Sequence, residues 1–231
     1  KNLFLPVVLI ALPALLVVRQ PDLGTALLLS FGGIVLIFLS GARMSLFVGA
    51  IAIALVAIPV GWGALHDYQQ DRVLTFLDPE RDPQGTGYHI RQSKIALGSG
   101  GLTGKGYLQG TQSHLNFLPE MHTDFIFTMF AEEFGLFGSL FLLGLYAALI
   151  VFGNFTASQS RSHFGRLVAS GATTVVFLYV FINIAMVMGL LPVVGVPLPL
   201  VSFGGSATLT VMFALGLIMN VAVHSKVRLD R

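Results

Sequence analysis

The sequence predicts an all-α, polytopic transmembrane helical bundle with one large extracytoplasmic loop, and three observations predict it. Hydrophobic residues make up 55% of the 231-residue chain and charged residues only 10%, against roughly 25% charged in soluble domains. The apolar residues gather into six long runs, each near or above the roughly 18 to 20 residues that cross a bilayer as a helix. Those runs do not alternate polar with apolar residues, as the strands of a membrane β-barrel would. The absence of cysteine excludes disulfides and thiolate metal sites. A net charge of +2 is too small to point to a partner, and no nucleic acid is expected.

The elements follow in order. The first run, Leu3–Val18, ends near Pro21, and Asp22 opens the second, Leu23–Ser40. Gly41, Ala42 and Arg43 make a tight turn into the third, Ser45–Leu65, which Pro59 and Gly61 kink or end. A polar loop, residues 65–124, separates it from Phe134–Phe155. Asn154 to Arg166 then connects to Leu167–Leu191. Pro192, Pro197 and Pro199 make the following segment extended and irregular, before the last run, Phe203–Val223. Non-helical backbone at membrane depth is tolerated only against protein or a wet cavity, so this segment is read as a cavity wall. Residues 1–231 form a single transmembrane domain with the loop inside it. The chain starts at Lys1 without a signal-peptide cleavage site and is expected to be part of a longer membrane protein.

Six spans place both ends on one side. Lys1, Arg43, Arg161, Arg166, Lys226, Arg228 and Arg231 share that side, while the opposite short connections hold only Arg19. This asymmetry predicts cytoplasmic ends, and it turns the 65–124 loop and the Leu191–Ser202 segment outward. Nine of the 11 acids, from Asp67 to Glu133, then lie on or at the outer side.

Within the loop, His66 to Val73 reads as a short amphipathic piece, Asp78 to Gly85 as a solvated turn, and Tyr88 to Leu97 as a helix carrying Arg91 and Lys94. Gly98 through Gly106 is glycine-dense and basic, but it is not a phosphate loop of the Walker type. Ser99 stands where that motif needs a glycine, and Gly106 where it needs Ser or Thr after Lys105. Its amides could still cradle a phosphate beside Lys94 and Lys105, or it could be a simple connector. Asp124 is more telling. It is an acid at the threshold of an apolar helix, and an ionisable group at that depth is a functional candidate by default. Its plain alternative is a helix N-cap. His122 beside it reads as either a metal ligand or a surface group, and Glu132 and Glu133 as markers of the membrane interface. Asp22 sits at a second outer helix mouth, where capping is its plain role. Gly204 to Ala207 lets helices approach closely, which outranks a catalytic role for Ser202 or Ser206.

These stretches resemble the SEDS family (shape, elongation, division and sporulation) of bacterial membrane peptidoglycan polymerases. The resemblance is carried by Gln20 to Thr25, Gly87-Tyr88-His89 with Gln92-Ser93, and Gly98 to Gly106. It continues through Leu118-Pro119-Glu120, His122 to Phe127, Ala131-Glu132-Glu133, and Leu198 to Ser206. It runs from about Leu3 to Val223. His66 to Gln69 and Leu191 to Pro197 resemble the elongation branch rather than the division branch. Phe203 departs from the pattern, since the family usually has tyrosine there. The family has about ten helices, so this chain is similar to the C-terminal six.

The resemblance implies glycosyl transfer from lipid II to a growing glycan strand at the outer face of the cytoplasmic (inner) membrane. It implies a class B penicillin-binding protein and other elongation-complex membrane proteins as partners. A divalent cation, Mg²⁺ or Mn²⁺, is implied in many cases, with no organic cofactor. Asp124 matches the family's essential acid. An inverting transfer needs a base for the attacking hydroxyl and no protein nucleophile, a role one carboxylate can fill and the one expected of Asp124, which could also orient the cation. Lys94, Lys105 and Arg91 are the candidates for holding the diphosphate, and His122, Glu120 and Asp22 are further candidates for substrate contact. The rival class is a lipid II flippase.

Overall fold

The computed structural model describes residues 3–20, 22–64, 67–82, 85–111 and 122–225. Among the described residues, eight α-helices follow one another: α1 (Phe4–Val18), α2 (Leu23–Leu39), α3 (Met44–Gly61), α4 (Asp67–Leu77), α5 (Thr86–Ser99), α6 (Ile126–Gln159), α7 (His163–Val187) and α8 (Gly205–Val223). No strand occurs among the described residues, so the all-α expectation holds. Three of these helices, α6, α7 and α8, with 34, 25 and 19 residues, are long and apolar enough to cross a membrane. At 15 and 17 residues, α1 and α2 are apolar but shorter.

α7 is the central helix. It packs on α6, α8 and α2, and α2 in turn packs on α1. Without a hydrophobic driving force between apolar helices, close contact needs small residues. Such residues stand at the crossings. Gly33 of α2 faces Ile10, Gly171 of α7 faces Leu36, and Gly153 of α6 faces Thr173. The main apolar cluster joins Leu28, Phe127, Tyr146, Val180, Met186 and Val196. It therefore gathers around the start of α6, the end of α7 and the proline-rich segment that follows. A second cluster, including Val176, Val211 and Ile218, seals α7 to α8. The opposite helix faces expose large apolar side chains such as Phe141, Phe181 and Phe213, which suits lipid contact.

The polar segment folds largely as the sequence predicts. α4 and α5 form in the expected places, joined by a 3-10 turn at Pro79–Arg81. Asp78 Oδ1 accepts from the Glu80 amide at 3.2 Å, and Asp82 Oδ1 from the Gly85 amide at 2.8 Å. Such side-chain bonds to nearby amides are why Asp favours turns.

The fourth apolar run differs from expectation. Its helix begins at Ile126, well before Phe134, and continues through Glu132 and Glu133. Glu132, fully buried and paired, therefore stands inside the helix, whose start agrees with the placing of Asp124 at its threshold. The interruption falls at Gly135, where φ is 65° and ψ is −161°. That conformation is essentially restricted to glycine. A Cβ there would also collide with the Gly104 amide and stand 2.7 Å from the Thr103 carbonyl carbon. Gly135→Ala is therefore expected to lower stability by about 1–3 kcal/mol from backbone strain, with the collision adding to it. A thermal unfolding curve in detergent checks this, and an unchanged midpoint would contradict it.

Candidate functional site

The site forms where the turn leading into α6 meets the segment after α7. Residues 122–125 make a turn, and residues 192–198 have no regular structure. Three consecutive carbonyls of the turn accept bonds from the far end of the chain. His122 O accepts from the Phe203 amide at 2.9 Å. Thr123 O accepts from Ser202 Oγ at 2.6 Å, and Asp124 O from Asn183 Nδ2 at 2.8 Å. Asn183 also donates to Val196 O at 2.7 Å. Ser202 Oγ accepts from the Leu198 amide at 2.7 Å, and the Tyr146 hydroxyl donates to Pro199 O at 2.5 Å. Buried backbone groups need partners, and here side chains from α6 and α7 supply them to an irregular segment. The reading of that segment as extended is thereby upheld.

Asp124 is half-buried at this junction. The capping position of α6 is Phe125, which makes no side-chain capping bond, so Asp124 stands one residue outside the place the plain alternative gave it. A Cβ placed on Gly195, at φ +73°, would lie 3.5 Å from Asp124 Oδ2. Gly195 thus borders that carboxylate. His122 is exposed on the same turn.

Asp22 keeps its plain role. It caps α2, with Oδ1 accepting from the Thr25 amide at 3.0 Å. Its helix nonetheless starts against the same segment, because Gly24 packs directly on Val194 O and a Cβ there would lie 2.9 Å from Val196 Cγ2. Asp22 and Asp124 thus flank residues 194–196. Glu120 lies outside the described residues.

The bases separate. α5 docks through buried Ile90, Ser93 and Ala96. Ser93 Oγ shares a 2.8 Å bond with Thr128 Oγ1 and donates to Val187 O at 2.8 Å. Arg91 and Lys94 are left on the exposed face. Lys94 lies across Gly189, at φ +70°, where a Cβ would stand 2.7 Å from Nζ. Gly189 lies between Met188 and Leu190, which line an apolar groove of about 330 Å³ between α6 and α7.

Lys105 has a different environment. Its ammonium is 2.6 Å from Glu132 Oε1, which also accepts from the Thr111 amide and hydroxyl at 3.0 and 2.9 Å and from Ser99 Oγ at 3.4 Å. Lys105 therefore neutralises a buried carboxylate. The glycine-dense stretch is paired too. The amides of Lys105 and Gly106 donate to Glu132 O and Glu133 O at 3.0 Å each. In return, the Leu136 and Phe137 amides, released by the break at Gly135, donate to Gly101 O and Leu102 O at 2.9 and 3.1 Å. With those amides paired, the stretch splices a broken helix and does not present them to a phosphate. Glycine density allows the close approach, since a Cβ on Gly104 would collide with Glu133 O.

Among the described residues, no three His, Asp or Glu side chains gather to hold a metal. Sequence reasoning passed over Asn183 and Thr128, both fully buried, and used buried Ser93 only for the resemblance. A lone Asn inside an apolar run was the available signal, because polar side chains between membrane helices act as interhelical hydrogen-bond partners.

Comparison with known proteins agrees with this geometry. The chain is 54% identical to the peptidoglycan glycosyltransferase MrdB of Escherichia coli (strain K12) over 227 residues, which is 98% of this chain and 61% of that protein. It is 41% identical to the MrdB of Helicobacter pylori (strain ATCC 700392 / 26695) over 92% of this chain and 55% of that protein. It is also 37% identical to a probable peptidoglycan glycosyltransferase FtsW of Geobacter sulfurreducens (strain DL-1 / KN400), over 96% of this chain and 60% of that protein. The chain thus spans about three-fifths of the length of these relatives. Its fold superposes with a TM-score of 0.80 on a solved chain described as "Structural coordination of polymerization and crosslinking by a peptidoglycan synthase complex", at 34% identity over 97% of this chain and 62% of that one. Against the crystal structure of the rod shape determining protein RodA of Thermus thermophilus, the TM-score is 0.62 at 29% identity, over 96% of this chain and 56% of that one. The sequence profile of the FtsW, RodA and SpoVE family, described as cell cycle proteins, matches residues 1–227, and the chain belongs to that family.

Proposed function

We propose that the protein polymerises lipid II into glycan strands for cell elongation and rod shape, as a RodA-type member of its family. The single observation that carries this reading is the Asp124 carboxylate at the mouth of α6, its backbone fixed by bonds from two distant segments. The names of the relatives support the reaction class. In this reading α1 to α3 and α6 to α8 cross the cytoplasmic membrane, both chain ends face the cytoplasm, and residues 65–124 lie outside. The six apolar runs and the basic residues at the inner turns support that topology.

Asp124 accepts the proton of the attacking sugar 4-hydroxyl while the anomeric carbon passes from phosphate to that oxygen with inversion. Such a base contributes roughly 10²- to 10⁴-fold. Lys94 and Arg91, exposed on α5, supply positive charge to the departing lipid diphosphate. The apolar groove reaching Met188 and Leu190 suits its prenyl tail. A Mg²⁺ or Mn²⁺ ion would be held by Asp124 and substrate phosphate, its usual mix of ligands, and would add positive charge there. A class B penicillin-binding protein and other elongation-complex membrane proteins are the proposed partners. A solved relative's description, which names polymerization and crosslinking together, supports the first.

The test is the full-length protein, purified with its partner and supplied with lipid II in detergent. Glycan strands are the expected product. A flippase, or a scaffold for the crosslinking partner, would leave lipid II unpolymerised.

A further inference from the structure

We infer that Asn183 is a positioning residue for Asp124, a role resting on the reading above. Asn183 is fully buried in α7 and touches no surface a substrate could reach. Its side chain meets two carbonyls, Asp124 O at 2.8 Å and Val196 O at 2.7 Å. Only an amide NH₂ can donate to both at once, so the chemistry fixes which end of the side chain faces them. One side chain therefore ties the backbone of the catalytic acid to the segment whose Gly195 borders its carboxylate.

The other end gives the second observation. Asn183 Oδ1 is buried and has no hydrogen-bond partner among the described residues. An unpartnered buried acceptor is destabilising, so stability alone is a poor reason for an amide inside an apolar helix. The two donated bonds set geometry at the residue on which the chemistry turns. Thr173 offers an internal comparison on the same helix. It is buried, and its hydroxyl is bonded to Ala169 O at 2.7 Å, within α7 itself.

Misplacing a reacting group by about 1 Å costs on the order of 100-fold in rate. In the full-length protein with its partner, Asn183→Leu and Asn183→Asp are thus expected to lower kcat for lipid II polymerisation by about 10- to 100-fold. KM should stay near wild type, because Asn183 contacts no substrate. Thr173→Val should keep kcat. Leucine removes both donors, and aspartate, of the same size, sets a carboxylate against both carbonyls. Asp124→Asn is run alongside. If it is inactive while both Asn183 variants keep full kcat, the positioning role alone falls. If it remains active, the catalytic reading falls and this role with it. A loss by Thr173→Val equal to that of the Asn183 variants, or unfolding of both Asn183 variants, would make the role purely structural and overturn the inference. Should only the leucine variant unfold, the aspartate variant decides.

Discussion

Asp124→Asn is expected to abolish glycan-strand synthesis under the proposed function, while leaving membrane abundance and thermal stability at wild-type levels. The exchange is nearly isosteric. The bonds that hold the turn go to the carbonyls of His122, Thr123 and Asp124, so the backbone of residue 124 keeps its ties whatever its side chain. What is lost is a group able to take a proton or hold a cation, worth roughly 10²- to 10⁴-fold as a base alone. Strand length and lipid II consumption, measured with purified full-length protein and its partner, check it. Wild-type strands from a well-expressed asparagine variant would remove Asp124 from the chemistry.

Lys105→Met has the second-largest expected effect, and it falls on stability. Glu132 is fully buried and its Lys105 partner only 28% exposed. Breaking a buried pair from one side leaves an uncompensated charge, at a cost of roughly 3–5 kcal/mol. Thr111 and Ser99 still donate to Glu132 and hold the loss toward the lower end. Replacing both partners is milder. In Lys105→Met/Glu132→Gln no buried charge remains, and a neutral amide can keep the Thr111 bonds, so most of the loss should be recovered. Unfolding in detergent of the two single variants and the double variant measures the coupling. A single variant as stable as wild type would mean that the pair is solvated in the membrane-bound protein.

How much of this could be read from the chain depends on how far apart the interacting residues lie. Apolar runs, turn residues and the helices of the polar loop are local features, and they fell close to the expected places. Asp124 stood out because a single acid opens an apolar stretch. Asp22 was legible even in its plain role as a cap, a signal confined to four residues. The pairing of Lys105 with Glu132 crosses 27 positions, and without it Glu132 read only as a marker of the membrane interface. Gly135 is one glycine among 26, and only the docked stretch around Gly104 distinguishes it. Asn183 reaches Asp124 across 59 positions and Ser202 reaches Thr123 across 79. Periodicity and spacing carry no trace of such bonds. They exist because an irregular segment needs partners for its backbone, and the packing of α6 on α7 decides which side chains are near enough.

The row of three carbonyls before α6 also bears on biosynthesis. When the ribosome has delivered the chain only through α6, the acid has already reached the bilayer, but the donors at 183, 202 and 203 have not yet been made. Its surroundings are completed only after α7 has formed and the stretch leading to α8 has packed against the turn. A translation product halted before residue 183 would carry Asp124 without that setting, and under the proposed function it would be inactive.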